Sequence, residues 1–176
     1  MLDEIAWLTN LRGSDIEYNP VFESYAAIFS DRAICFCHHP VANLSQYCPD
    51  WEFRPYSDYK SFLTKLATQE NLKVWLDPSS TTMGTLMAFS KFQVLEKESP
   101  VILKKAVKNY SEISAAKTAH KMAGAGLVRS LSKLENFFEN GQTVTEKKFS
   151  DLLLEEYQKA AVSYTHLRAH ETVLDL

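Results

Sequence analysis

The chain has 176 residues, 19 of them Lys or Arg and 22 Asp or Glu, giving a formal net charge of −3 with the basic residues scattered rather than blocked. That length holds one good core or two small ones, and the charge balance argues against nucleic acid or an anionic membrane as a partner. There is no apolar run of about 20 residues, and the start Met1-Leu2-Asp3-Glu4 lacks the basic and apolar regions of a signal peptide, so a cytoplasmic protein is expected.

Ile5 to Leu11, with Trp7 and Leu8, reads as a short apolar strand that breaks into Arg12-Gly13-Ser14-Asp15 and then Asn19-Pro20. Gly13 tolerates a positive φ, Asp15 and Asn19 favour local backbone hydrogen bonds, and Pro20 restarts the chain, so one reading of the corner is a turn. The other is a cleft, because a charge at the end of a buried strand is strongly disfavoured unless it is paired or exposed.

Tyr25 to Phe29 and Ala33 to Cys37 form a predicted hairpin across Ser30-Asp31. Cys35, Cys37 and Cys48 are odd in number, which favours reduced thiols over a disulfide framework. The run Cys35-Phe36-Cys37-His38-His39 invites a zinc reading, but paired zinc cysteines are usually separated by about 2 to 4 residues and here there is one. A strand instead places Cys35 and Cys37 on one face and Ile34 and Phe36 on the other, and that structural role is the one expected.

Ser57 or Asp58 is expected to cap a helix carrying Tyr59, Phe62, Leu63 and Leu66 at helical spacing. Leu72 to Leu76 reads as a strand. Asp77-Pro78-Ser79-Ser80 then opens a helix with Met83, Leu86 and Met87 inward, and Gln93 to Leu95 is a strand before Pro100. The order predicts an α/β domain with a mixed sheet and flanking helices, ending near residue 99.

Beyond Pro100 the pattern is helical. From Ser111, the residues Ile113, Ala116, His120, Ala123, Leu127, Leu131, Leu134 and Phe138 keep a 3.6-residue period until Gly141. His120, on the apolar side, is expected to be packed rather than a ligand. Thr143 and Glu146 suggest a capping box ahead of a second helix with Phe149, Leu152, Leu153 and Tyr157. Two such helices bury little alone, so a second domain that is incomplete within this chain is expected.

The segments LDEIAWLTNLRGSDIEYNPVF, VWLDPSSTTMG, ESPVILKKAVKN and SEISAAKTAHKMAGAGLVRSLSKLE, in that order, resemble the cytosolic Xaa-Pro aminopeptidase (aminopeptidase P) family of creatinase and prolidase relatives, over about residues 2 to 160. The family usually shows Arg-Asp-Gly where this chain has Met122-Ala123-Gly124. The resemblance implies that residues 1–99 are a creatinase-type second N-terminal domain and 100–162 the first helices of a truncated pita-bread catalytic domain. A first N-terminal domain is then expected to be missing, with Met1 an internal start.

The implied reaction is removal of an N-terminal residue that precedes proline, by water bridged between two divalent metal ions, usually manganese, in a site built from Asp, His and Glu. No such ligand motif falls in this chain, so no catalytic residue and no metal ligand is assigned, no cofactor is expected in the fragment, and it is expected to be inactive. Proline-containing peptides are the implied partners of the whole enzyme, and a homodimer its implied assembly. In such dimers the corresponding N-terminal loop reaches a partner's active site. That makes Arg12 a candidate substrate-binding guanidinium, with Asp15 holding it or binding a peptide amine.

Residues 163–176, SYTHLRAHETVLDL, resemble translated sequencing-adaptor sequence and are expected to be an artefactual tail. His166 and His170 have the spacing of an H-E-x-x-H motif, but Leu167 stands where the Glu would be. The alternative function is a non-catalytic, pita-bread-related protein-binding module. The WLTNLRGSD and VWLDPSSTTMG motifs resemble the peptidase branch instead.

Overall fold

The residues that open the chain are helical, not extended. The computed structural model describes residues 1–17, 19–39, 44–69 and 72–160, together with the backbone of Leu174–Asp175. Helix α1 spans Leu2–Thr9 and ends at Asn10, whose φ of 55° is left-handed. The strand expected over Ile5 to Leu11 is therefore corrected. Leu2, Ile5, Ala6 and Thr9 fall at i, i+3, i+4 and i+7, which gives a helix one continuous face, and Asp3 and Glu4 in the first turn complement its dipole. Only Leu11–Arg12 (β1) is extended, and Leu174–Asp175 (β7) pairs with it in parallel.

The predicted hairpin is present. β2 (Ser24–Ile28) and β3 (Ala33–Cys37) are antiparallel, with Tyr25 opposite Phe36 and Ala26 opposite Cys35. The Phe29 amide donates to the Arg32 carbonyl at 2.8 Å to close the turn. A third strand, β4 (Trp51–Pro55), which the sequence reading missed, pairs in parallel with β3 and completes the order β2-β3-β4. Trp51 and Phe53 alternate with Glu52 and Arg54 at strand period, but over only four residues before Pro55.

β3 is buried on both faces, so it divides the core in two. Cys35 and Cys37 pack with Ala6, Leu11, Phe22 and Phe53 on the α1 side. Ile34 and Phe36 pack on the other side with Phe62, Leu63, Leu66 and Phe89. The alternation expected of a structural strand is thus realised, and all three cysteines are free thiols. Sharing a hydrogen bond with Cys37 raises the Cys35 thiol well above its ordinary range, and the same bond lowers that of Cys37 to about 7.

α2 (Asp58–Leu66) buries Phe62, Leu63 and Leu66 as expected, although Ser57 makes no side-chain cap. β5 (Lys73–Leu76) and β6 (Gln93–Glu96) form a parallel pair around α3 (Met83–Ala88). Here two expectations are corrected. Asp77 does not start α3: its carboxylate accepts from the Ser79 amide at 2.9 Å and the Ser99 amide at 3.0 Å, holding a turn, and Thr82 is the cap. Met83 and Met87 point outward, at 69 % and 67 % exposed, while Thr85 and Phe89 face in. Starting the helix five residues later turns its faces. α4 (Pro100–Ala106), with Pro at its first turn and Ser99 as cap, follows.

The chain divides into two compact units, the first drawn from residues 1–16, 21–107 and 173–176 and the second from 17–20 and 108–172. In the second, α5 (Tyr110–Glu139) begins with a capping box between Asn109 and Glu112 and is followed by Gly141, with φ of 68°. α6 (Glu146–Lys159) is capped by Thr145, not Thr143. The two helices meet through Ala123, Gly126 and Ser130 on α5 and Tyr157 and Glu156 on α6. The periodic residues Ile113, Leu127, Leu131 and Phe138 are exposed. His120 is exposed as well, which corrects the packed role expected for it. The tail readings, His166 and His170 included, concern residues outside the described ones.

Candidate functional site

The corner Arg12-Gly13-Ser14-Asp15 is where α1, β1 and the approach to β2 converge. Arg12 is 5 % exposed. Its Nη1 donates to the Ala6 carbonyl at 2.6 Å and to the Leu11 carbonyl at 2.9 Å. The Ala6 oxygen lies in the last turn of α1, where backbone carbonyls lack intrahelical partners and carry partial negative charge. A guanidinium there both completes the helix end and offsets its dipole. Thr9 works beside it: its hydroxyl donates to Ile5 O at 2.8 Å, and its own carbonyl accepts from the Cys48 thiol at 3.1 Å.

Gly13 is needed for space. A Cβ built there would stand 2.7 Å from the Cβ of Phe22 and 3.3 Å from the Val21 carbonyl. The chain returning from Asn19-Pro20 is pressed against it. Ser14 is then exposed at the apex.

Asp15 turns back toward the sheet. One carboxylate oxygen accepts from the Glu23 amide at 2.7 Å, and the other lies 3.3 Å from Nε2 of His39. Among the described residues that nitrogen is buried with no hydrogen bond, so the approach to Asp15 is close in distance but off the hydrogen-bonding direction. His39 also stands edge-on to Phe22, with ring centroids 6.3 Å apart. Glu23 leads on to a cleft of about 410 Å³ lined by Tyr25, Tyr56, Tyr59, Ser80 and Thr82. Tyr25 stacks on Tyr59 at 3.8 Å and His38 on Tyr56 at 4.1 Å. A hydrogen bond to Tyr25, together with burial, pushes the Tyr56 hydroxyl up to about 12.

The two residues singled out from sequence, Arg12 and Asp15, thus occupy one corner but face different ways, Arg12 into the end of α1 and Asp15 toward β2 and His39. Sequence reasoning missed His39 and Glu23 as parts of it. The His38-His39 pair closing β3 was the available signal, but it was read only against a metal site. Among the described residues no group of three or more His, Cys, Asp or Glu side chains is placed to hold a metal ion, and no described helix is long and apolar enough to cross a membrane.

Residues 1–112 match the Creatinase/Prolidase N-terminal domain family. The chain belongs to that family. Its relatives include Xaa-Pro aminopeptidase 1 of Dictyostelium discoideum, 38 % identical over 138 residues, which is 76 % of this chain and 22 % of that protein. Xaa-Pro aminopeptidase ApepP of Drosophila melanogaster is 31 % identical over 162 residues, covering 86 % of this chain and 26 % of that one. The crystal structure of X-prolyl aminopeptidase from Caenorhabditis elegans, a cytosolic enzyme with a di-nuclear active site, superposes with a TM-score of 0.78 at 26 % identity, over 89 % of this chain and 27 % of its own. The chain spans about a quarter of the length of these relatives. The mixed α/β fold is therefore that of the creatinase-type N-terminal domain, and the described residues do not fit a di-nuclear metal centre.

Proposed function

We propose that this chain is part of a metal-dependent, cytoplasmic aminopeptidase that removes an N-terminal residue preceding proline from peptides, and that the chain itself is inactive. What supports the reading is the family match over residues 1–112 together with similarity to Xaa-Pro aminopeptidases that continues past it, into α5. On this reading, residues 1–99 form the second N-terminal domain, 100–162 open the pita-bread domain, and 163–176 are the artefactual tail. The hydrolytic centre, two divalent ions such as manganese with their ligands, then belongs to the part of the longer enzyme that this chain does not span, and the whole enzyme is a homodimer.

The Arg12–Asp15 corner is the portion of this chain that meets substrate on that proposal. Asp15, at the exposed side of the corner, is the carboxylate that would receive a peptide amine, while Arg12, bonded to the Ala6 and Leu11 carbonyls, holds the corner to the end of α1.

The first test is resequencing of the source DNA across the codons for Ala161 to Leu176 and beyond. Continuation into Asp, His and Glu motifs supports the parent peptidase; a confirmed tail followed by a stop leaves no catalytic centre encoded. A second is direct. The purified 176-residue chain, given an Xaa-Pro peptide and Mn²⁺, is expected to release no N-terminal residue, and turnover above the protein-free control refutes the inactivity. In the longer enzyme, unchanged kinetic constants after Arg12→Ala would remove the substrate role of the corner.

A further inference from the structure

We propose that His39 is a positioning residue for the Arg12–Asp15 corner: its imidazole holds the Asp15 carboxylate, and through it the Ser14 apex, in the conformation that meets a peptide. The proposal rests on the substrate-facing reading of the corner and assigns a role to a residue that reading leaves out.

Four observations carry it. Nε2 of His39 is 3.3 Å from Asp15 Oδ1, with the two side chains 25 % and 23 % exposed at the edge of the corner. Among the described residues that nitrogen is buried and makes no hydrogen bond, and the Asp15 carboxylate is the acceptor brought within reach of it. The other Asp15 oxygen receives the Glu23 amide at 2.7 Å, which ties the same carboxylate to the start of β2. Finally, His39 is fixed from both sides, its ring against the edge of Phe22 and its backbone N–H toward the Cys37 thiol at the end of β3.

The groups around His39 leave Asp15 as its carboxylate. Glu23 directs its own side chain to His38, with Nε2 to Oε2 at 3.5 Å and both side chains more than half exposed. Cys37 is 1 % exposed and turned into the core. Phe22, against which Gly13 is pressed, contributes only a ring edge. Arg12 fixes one end of the corner to α1, and His39, through Asp15, fixes the other to the sheet. Between these anchors lie only Gly13 and Ser14.

Hydrogen exchange read by mass spectrometry on the 176-residue chain tests this, with and without millimolar Ala-Pro-Ala. His39→Leu removes the imidazole and keeps an apolar body against Phe22; His39→Gln keeps a polar N–H near the Nε2 position. Expected are a tenfold or greater acceleration of exchange across residues 13–24 in His39→Leu, restoration to within threefold in His39→Gln, and loss of the protection that Ala-Pro-Ala confers there. Asp15→Asn is expected to match His39→Leu, with no further acceleration in the double variant. Unaltered protection of β3 and β4 shows that the fold is intact, and if His39→Leu does not fold, Asp15→Asn with His39→Gln carries the comparison. Exchange and peptide protection within twofold of wild type in His39→Leu overturn the proposal. If the wild-type chain shows no peptide protection while His39→Leu still loosens residues 13–24, the substrate-facing reading of the corner falls, and His39 is reduced to a structural clamp.

Discussion

A Cβ placed on Gly126 would stand 2.8 Å from Cδ1 of Tyr157, so the bare backbone of α5 is the surface on which the Tyr157 ring of α6 rests. Gly124, two residues before it, has nothing within 4 Å. The pair yields opposite expectations from the same substitution. Removing a helix-interior glycine gains about 1 kcal/mol of propensity, whereas overpacking a tight contact loses about 1 to 3 kcal/mol. Gly124→Ala should therefore stabilise the chain by up to about 1 kcal/mol, and Gly126→Ala should destabilise it by about 1 kcal/mol net. Urea denaturation followed by circular dichroism compares them, and equal shifts in the two variants would contradict the contact.

Glu156 binds the same helix pair by charge. Its carboxylate, 3 % exposed, receives Lys133 Nζ at 2.7 Å and Arg129 Nε at 2.9 Å, with Lys159 at 3.2 Å. The Lys133 hydrogen bond, then that of Arg129, holds it down to about 2, against an ordinary value of 4.5. Because the folded value is depressed, the stabilisation is complete above the unfolded value of about 4.5 and is lost as pH falls toward about 2. Glu156→Gln should lower the unfolding temperature at pH 7, with a difference from wild type that shrinks between pH 4.5 and 2. A difference constant over that window would count against the charge cluster.

On α3, size and apolarity misjudge which side chains matter. Met83 and Met87 are exposed, and Phe89, at 3 %, packs with Phe36 and Phe62. Met83→Gln and Met87→Gln should each fall within about 0.5 kcal/mol of wild type. Phe89→Ala should lose about 3 to 5 kcal/mol. Chemical denaturation of the three variants settles the orientation of the helix.

The exposed residues Ile113, Leu127, Leu131 and Phe138 make an apolar stripe along α5. A stripe of that kind on a stable monomer is uncommon, and the chain should self-associate with rising concentration. Leu127→Glu with Leu131→Glu should raise the concentration at which light scattering increases, without lowering the unfolding temperature. A wild-type chain that stays monomeric and unfolds in one sharp transition would favour the binding-module alternative.

Much of this was written in local pattern. The β2–β3 hairpin, the two faces of β3, the burial of Phe62, Leu63 and Leu66 and the extent of α5 each follow from a period of 2 or 3.6 sustained over enough residues to exclude the other. The family motifs likewise lie in contiguous runs. Where the pattern was short, it misled. Seven residues from Ile5 fit a strand as well as a helix, and only the partners of Ala6 and Thr9 chose the helix. Asp77 looks like a cap in sequence, yet its carboxylate is taken by Ser99, which is 22 residues away. β4 alternates Trp51 and Phe53 with Glu52 and Arg54, a period-2 signal over too few residues to stand out by itself; it exists because β3 offers it an edge.

The same division holds at the corner. That Arg12, Gly13 and Asp15 form an unusual turn was legible from their chemistry, since a charged pair flanking a glycine suits few other settings. Where the charges point was not, because it depends on what the fold delivers to them from elsewhere: the end of α1 to Arg12, the Phe22 backbone to Gly13, the Glu23 amide and His39 to Asp15. Sequence determined the residues able to make these contacts. The tertiary structure decided which contacts are made, because a buried charge is held by groups that are near in space, and nearness in space is set by the packing of β3 between its two cores.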